Sequence, residues 1–113
     1  MTIPQELTDL LTQKMLCNVS IGVEEPERNS SLYDECGWYV EVFYEAQMHD
    51  CHVDGDGYDT PWTLCPGYYT GEVTGIDICF LDENDDQILI PEDEINRLEA
   101  YLQYELDKYL SRL

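Results

Sequence analysis

The residues best suited to chemistry sit in one run, His52-Val53-Asp54-Gly55-Asp56-Gly57-Tyr58-Asp59. Laid on a calcium-binding EF-hand loop, Asp54 and Asp56 take positions 3 and 5, and Gly57 takes position 6, where the sharp turn needs glycine. Position 1 is then His52 and position 12 is Thr63, where the loop needs an acidic ligand and a bidentate Glu. Pro61 and Trp62 follow in place of a flanking helix. The two strongest ligands are absent, which excludes an EF-hand. An irregular divalent-cation site on Asp54, Asp56 and Asp59 stays open beside the plainer reading of an Asp/Gly turn at a loop tip.

His49, Cys51 and His52, with Cys65, are residue types that bind transition metals. They lack the close pairing of zinc sites, and on a strand His49 and Cys51 would face one way and His52 the other. A Cys–His nucleophile needs a cation beside the thiol to hold it as thiolate. Five Lys/Arg and two His among 25 Asp/Glu give a net charge of −20, a field that works against it. The chain has no Gly-x-Ser-x-Gly, no Gly-rich phosphate loop and no dinucleotide fingerprint. With so many carboxylates, close pairs arise by chance and do not mark acid–base catalysis. The sequence therefore points away from an enzyme, and toward no cofactor beyond a weakly held divalent cation.

The charge is the informative feature. Like charges on a small domain repel one another, and solubility alone needs a net charge of only about 2 to 8. Direct binding to nucleic acid or to an anionic membrane is disfavoured, because both need clustered Lys/Arg. Duplex DNA carries one negative charge per ~1.7 Å of axis. A compact acidic protein can offer carboxylates at comparable density to a protein surface shaped for DNA or RNA. The candidate carriers are Asp82, Glu83, Asp85 and Asp86 in one run, and Glu92, Asp93, Glu94 and Glu99 just after it, which together should form one acidic end. Glu24, Glu25 and Glu27 form a further group, and Asp54, Asp56 and Asp59 of the long loop another. Tyr58, Trp62, Tyr68 and Tyr69 cluster in an irregular segment that a small sheet cannot wholly bury, and such rings are favoured interface anchors.

The elements that position these groups follow from periodicity. Residues 4–15 place Leu7, Leu10, Leu11 and Met15 at helical spacing, with Pro4 in the first turn. Residues 17–24 alternate as a half-buried strand, and 25–36 read as a loop of turn formers. Residues 38–46 form the strongest strand, with Trp38, Val40, Val42 and Tyr44 toward the core and Tyr39, Glu41, Phe43 and Glu45 away from it. From 48 to 71 the pattern breaks, Pro61 and Pro66 arguing for irregular backbone and a long twisted hairpin being the alternative. Residues 72–81 return to a strand, and 82–86 turn it into a partner at 87–90. Residues 91–112 make the best helix, with Pro91 at its first position and an apolar stripe of Ile95, Leu98, Leu102, Leu106, Tyr109 and Leu113.

The expected fold is a single α+β domain over residues 1–113: an antiparallel sheet of about four strands, with a short N-terminal helix and a long C-terminal helix packed on one face. The five cysteines are odd in number, 14 to 19 residues apart and without a CxxC pair, so they read as reduced thiols, some of them small core residues. No basic-then-apolar leader opens the chain and no apolar run approaches the ~18 residues of a membrane span, an outline that fits the cytoplasm.

The segment Pro66-Gly67-Tyr68-Tyr69-Thr70-Gly71-Glu72, the Ile76-Asp77-Ile78 strand, the acidic turn and the Leu-rich final helix resemble a loosely defined group of small acidic phage and mobile-element proteins. The likeness covers residues 62–113 and brings no catalytic residues with it. It implies a sheet-plus-helix fold and a host-interacting accessory role, with counter-defence of the anti-restriction or anti-CRISPR kind as one form. The expected function is a non-enzymatic acidic protein that mimics nucleic acid and occupies the basic site of a nucleic-acid-binding host protein. The alternatives are a divalent-cation domain built on residues 52–59 and a phage structural or assembly accessory, the latter with homo-oligomers such as a dimer.

Overall fold

The computed structural model describes residues 2–49, 52–54, 63–65 and 67–113, the two short middle stretches by their backbone alone. Along the chain run α1 (Gln5–Asn18), β1 (Glu27–Glu35), β2 (Trp38–His49), β3 (His52–Asp54), β4 (Thr63–Cys65), β5 (Tyr68–Leu81), β6 (Gln87–Ile88) and α2 (Glu92–Leu110). Four of the strands form an antiparallel sheet in the order β1-β2-β5-β6. β3 and β4 pair as a separate two-stranded sheet. The α+β architecture with both helices on one face is as expected.

Each helix opens at a proline in extended conformation, Pro4 and Pro91, whose ring fixes φ and whose missing N–H leaves no orphan donor. Neither has a side-chain cap, so burial of one apolar face must carry both helices. On α1 that face is Leu7, Leu11 and Met15; on α2 it is Leu98, Leu102, Leu106 and Leu110. Leu110 replaces Leu113 at the end of the expected stripe, since α2 stops before Ser111 and Leu113 lies exposed beyond it. The leucines meet Trp38, Val40, Val42, Tyr44 and Ala46 of β2 and Val73 of β5 in a single core.

Two assignments are corrected. Residues 17–24 are not a strand: α1 runs through Asn18, and the only backbone pairing of this stretch with the sheet is a lone parallel bridge from Gly22 to Gln47. The alternation misleads because Val19 and Ile21 pack against the core from irregular chain while Val23 stands exposed. The expected loop at 25–36 is instead β1, a sheet edge on which only Ser31 and Tyr33 are buried. A polar edge strand shows little apolar period, and its charges discourage pairing with a further chain. The link from β1 to β2 is a two-residue turn with Cys36 at φ 54° and Gly37 at φ 85°, the conformation that matches hairpin twist. A Cβ on Gly37 would fall 2.6 Å from the Leu81 carbonyl oxygen. Pairing also runs past the expected strand ends, β2 reaching His49 and β5 starting at Tyr68, while β6 is cut to two residues.

Three polar contacts lock the layers. The Tyr44 hydroxyl, in the core, donates to the Met15 carbonyl of α1 at 3.1 Å, which leaves its oxygen to accept from the Ser31 hydroxyl of β1 at 2.9 Å. The Gln103 amide of α2 takes the place of a missing strand beside β5, accepting from Val73 N–H at 2.8 Å and donating to the Gly71 carbonyl at 3.0 Å. Glu94, in the first turn of α2, accepts from Ile3 N–H just ahead of α1.

Candidate protein-binding surface

Because both helices pack on the same side, the opposite side of the sheet carries no layer among the described residues. Its residues follow from the register. Asp34, Tyr39 and Cys79 share one rung, Leu32, Glu41 and Asp77 the next, then Ser30, Phe43 and Gly75, then Arg28, Glu45 and Glu72. Two rungs therefore set carboxylates directly opposite one another, Glu41 against Asp77 and Glu45 against Glu72. Facing positions on paired strands bring Cβ atoms to about 4.5–5.5 Å, where like charges destabilise a sheet. Five carboxylates share this outer face with one cation, Arg28.

A β-bulge lies between the two acidic rungs. Phe43 pairs with Gly75 and Tyr44 with Val73, which leaves Thr74 extra on β5. Bulges bend a strand and increase its twist. A depression of about 380 Å³ opens here, lined by Arg28, Asn29, Phe43, Glu45, Thr74 and Gly75. Leu32, Tyr39 and Leu81 are exposed toward the other end of the same face.

Two bonds hold parts of the acidic stretches expected from sequence: Ile3 N–H to Glu94 ties the residues ahead of α1 to the first turn of α2, and Leu81 N–H to the Gly37 carbonyl at 2.9 Å ties the strand leading into the 82–86 turn to the Cys36–Gly37 turn. Glu83, Asp85, Asp86, Glu92 and Asp93 are exposed, and Glu99 is half-buried. Asp82 and Glu94 are used internally. The Asp82 carboxylate accepts from Asn84 and Asp86 N–H at 2.8 and 2.9 Å and so builds the turn. Glu94 pairs with Arg97, which is the one ion pair between described residues. Burial pushes the Tyr33 phenol pKa up, and the nearby Glu35, Cys36 and Glu6 push it the same way. Tyr101 is raised by burial, then by Glu105 and Asp9.

Of the expected aromatic cluster, the two described rings do not share a surface. Tyr68 and Tyr69 are neighbours on β5 and point to opposite sides: Tyr69 packs against the core, and Tyr68 lies exposed, stacked on the His49 ring at 4.5 Å between centroids. Tyr58 and Trp62 lie outside the described residues. So do Asp56 and Asp59 of the candidate cation loop and Cys51, while Asp54, His52 and Cys65 are described by backbone, with His52 and Cys65 directly opposed between β3 and β4. The His49 ring shares a hydrogen bond of 2.9 Å with the Thr70 hydroxyl. Among the described residues no three His, Cys, Asp or Glu side chains converge to hold a metal. Cys17 and Cys36 are exposed and Cys79 is half-buried, so none of these three is a core residue, while the Cys51 and Cys65 side chains are outside those described. No helix among the described residues is long and apolar enough to cross a membrane.

Glu41, Phe43, Glu45, Glu72 and Asp77 were not among the candidate binding residues suggested by sequence. Alternation in 38–46 and 72–81 puts Glu41, Phe43, Glu45 and Asp77 on the outward face, but Glu72 reaches it only because the bulge at Thr74 reverses the alternation, and only the strand register makes carboxylates face carboxylates. Compared with known protein families, curated proteins and solved structures, the chain matches none.

Proposed function

We propose that this protein is a non-enzymatic binding protein whose carboxylates occupy the basic, nucleic-acid-binding surface of another protein. The observation that carries this reading is the uncovered sheet face with its two opposed carboxylate rungs. Acidity meant only for solubility works best dispersed. Here like charges stand in register at a cost to the fold, and a cationic partner would relieve that cost. The acidic end adds exposed carboxylates that steer a basic partner from a distance, giving fast and salt-sensitive association. The resemblance of residues 62–113 to phage and mobile-element accessory proteins extends the proposal to counter-defence inside a host cytoplasm, of the anti-restriction or anti-CRISPR kind.

The test is capture followed by competition. Proteins retained by the immobilised chain at moderate ionic strength should be nucleic-acid-binding proteins, and duplex DNA in excess should release them. A retained protein that goes on binding DNA undisturbed while saturated with this chain contradicts the mimicry.

A further inference from the structure

The outer face has a feature that charge alone does not explain: an aromatic ring set between the two carboxylate rungs. Gly75, opposite Phe43, has no side chain, so the ring has no cross-strand side-chain neighbour on β5 at its own rung. A Cβ on Gly75 would stand 3.9 Å from Phe43 Cδ2. The ring is half-buried, so its outward part borders the open depression at the bulge. At about 3.3 Å per residue along a strand, Glu41 and Glu45 lie roughly 7 Å to either side of it on β2. Asp77 and Glu72 flank it in the same way from β5.

Resting on the proposed function, we infer that this unit seats arginine side chains of the partner, with a guanidinium stacked on Phe43 and its N–H groups directed at the flanking carboxylates. Guanidinium is planar and weakly hydrated, stacks on aromatic faces and bonds carboxylates in a bidentate fork. Ammonium holds its water more tightly and gains less from the ring. Tyr39, exposed one rung beyond Glu41, repeats the order of ring and carboxylate for a second arginine. Arg28, on the Glu45 rung and in the wall of the depression, opposes an incoming cation and thereby tunes affinity.

The experiment titrates the full chain with fluorescein-labelled octa-arginine and octa-lysine, read by anisotropy at physiological ionic strength, and maps the amide shifts of the unmodified protein by NMR. Octa-arginine should bind about three- to tenfold more tightly, the scale of a cation–π contact. Its shifts should centre on 41–45 and 72–77. Phe43→Leu, which keeps apolar cover over Gly75, should bring the two peptides to parity. Arg28→Ala should tighten both by about two- to fivefold, the scale of a near-surface charge. Equal binding of the two peptides by the unmodified chain, or an arginine preference that survives Phe43→Leu, overturns the seat. If the shifts centre on Asp82–Asp93 instead, the seat falls while the acidic-binding function stands. If neither peptide binds, both fall.

Discussion

The two faces of the central sheet share one backbone and put it to opposite uses. On the inner face Val40, Val42 and Tyr44 are fully covered, Gly71 admits the Leu106 and Leu110 side chains so closely that a Cβ there would lie 2.6 Å from Leu110 Cδ1, and the polar atoms of Tyr44 and Gln103 are spent on bonds between layers. On the outer face the same strands carry carboxylates in register, an aromatic ring opposite a glycine, and no covering layer among the described residues. β2 thus contributes Val40, Val42 and Tyr44 to the core, while Glu41, Phe43 and Glu45, which alternate with them, are the residues proposed for recognition. A strand's period of two lets one segment serve both ends without compromise at any single residue.

The sharpest way to break this contrast is to truncate a residue from each face. Leu102→Ala, in the core, should lower stability by about 2–5 kcal/mol, as large-to-small core changes do. Phe43→Leu should cost less than about 1.5 kcal/mol, as near-isosteric apolar exchanges do. Urea denaturation of both variants checks this, and similar losses would mean that the outer face is structural. Next in size, Tyr44→Phe removes the hydroxyl between α1 and β1 and leaves the Ser31 hydroxyl and Met15 carbonyl short of a partner, for about 1–3 kcal/mol. Burial holds the Tyr44 phenol above its ordinary pKa, against a smaller lowering by the Ser31 bond. The unfolded chain then ionises first near pH 10, so this contribution is whole below that pH and is lost as pH rises through the folded value. A stability profile from pH 8 to 11 should fall less steeply for Tyr44→Phe than for the unmodified protein. The smallest effect has the opposite sign. Asp77→Asn removes one member of the Glu41–Asp77 rung and should stabilise the fold by about 0.2–1 kcal/mol, a gain that shrinks as salt is added. A loss of stability would show that the rung carries no electrostatic tension.

Much of the inner face was legible in the sequence and most of the outer face was not. The stripes of α1 and α2 and the strands at 38–46 and 72–81 declare themselves because burial imposes a period on residue type. β1 does not, since ERNSSLYDE lies at an edge where two side chains in nine are buried. Its turn is hidden as well, because Cys36 stands where asparagine usually marks a two-residue hairpin. The composition of the 82–86 run marks it as a turn and as acidic, while the internal duties of Asp82 and Glu94 depend on backbone donors that residue type does not reveal. The opposed carboxylates of β2 and β5 are about thirty residues apart, and no local pattern encodes which residue faces which.

The central claim is that a shaped face, and not net charge, takes the basic partner. Two charge-matched variants test it directly: Glu41→Gln with Asp77→Asn on the outer face, and Asp9→Asn with Asp107→Asn on the helices, each moving the net charge from −20 to −18 by removing two carboxylates. Binding of octa-arginine at physiological ionic strength should weaken about tenfold in the first, a change of about 1.4 kcal/mol, and by less than about twofold in the second. Equal weakening in the two would contradict the account.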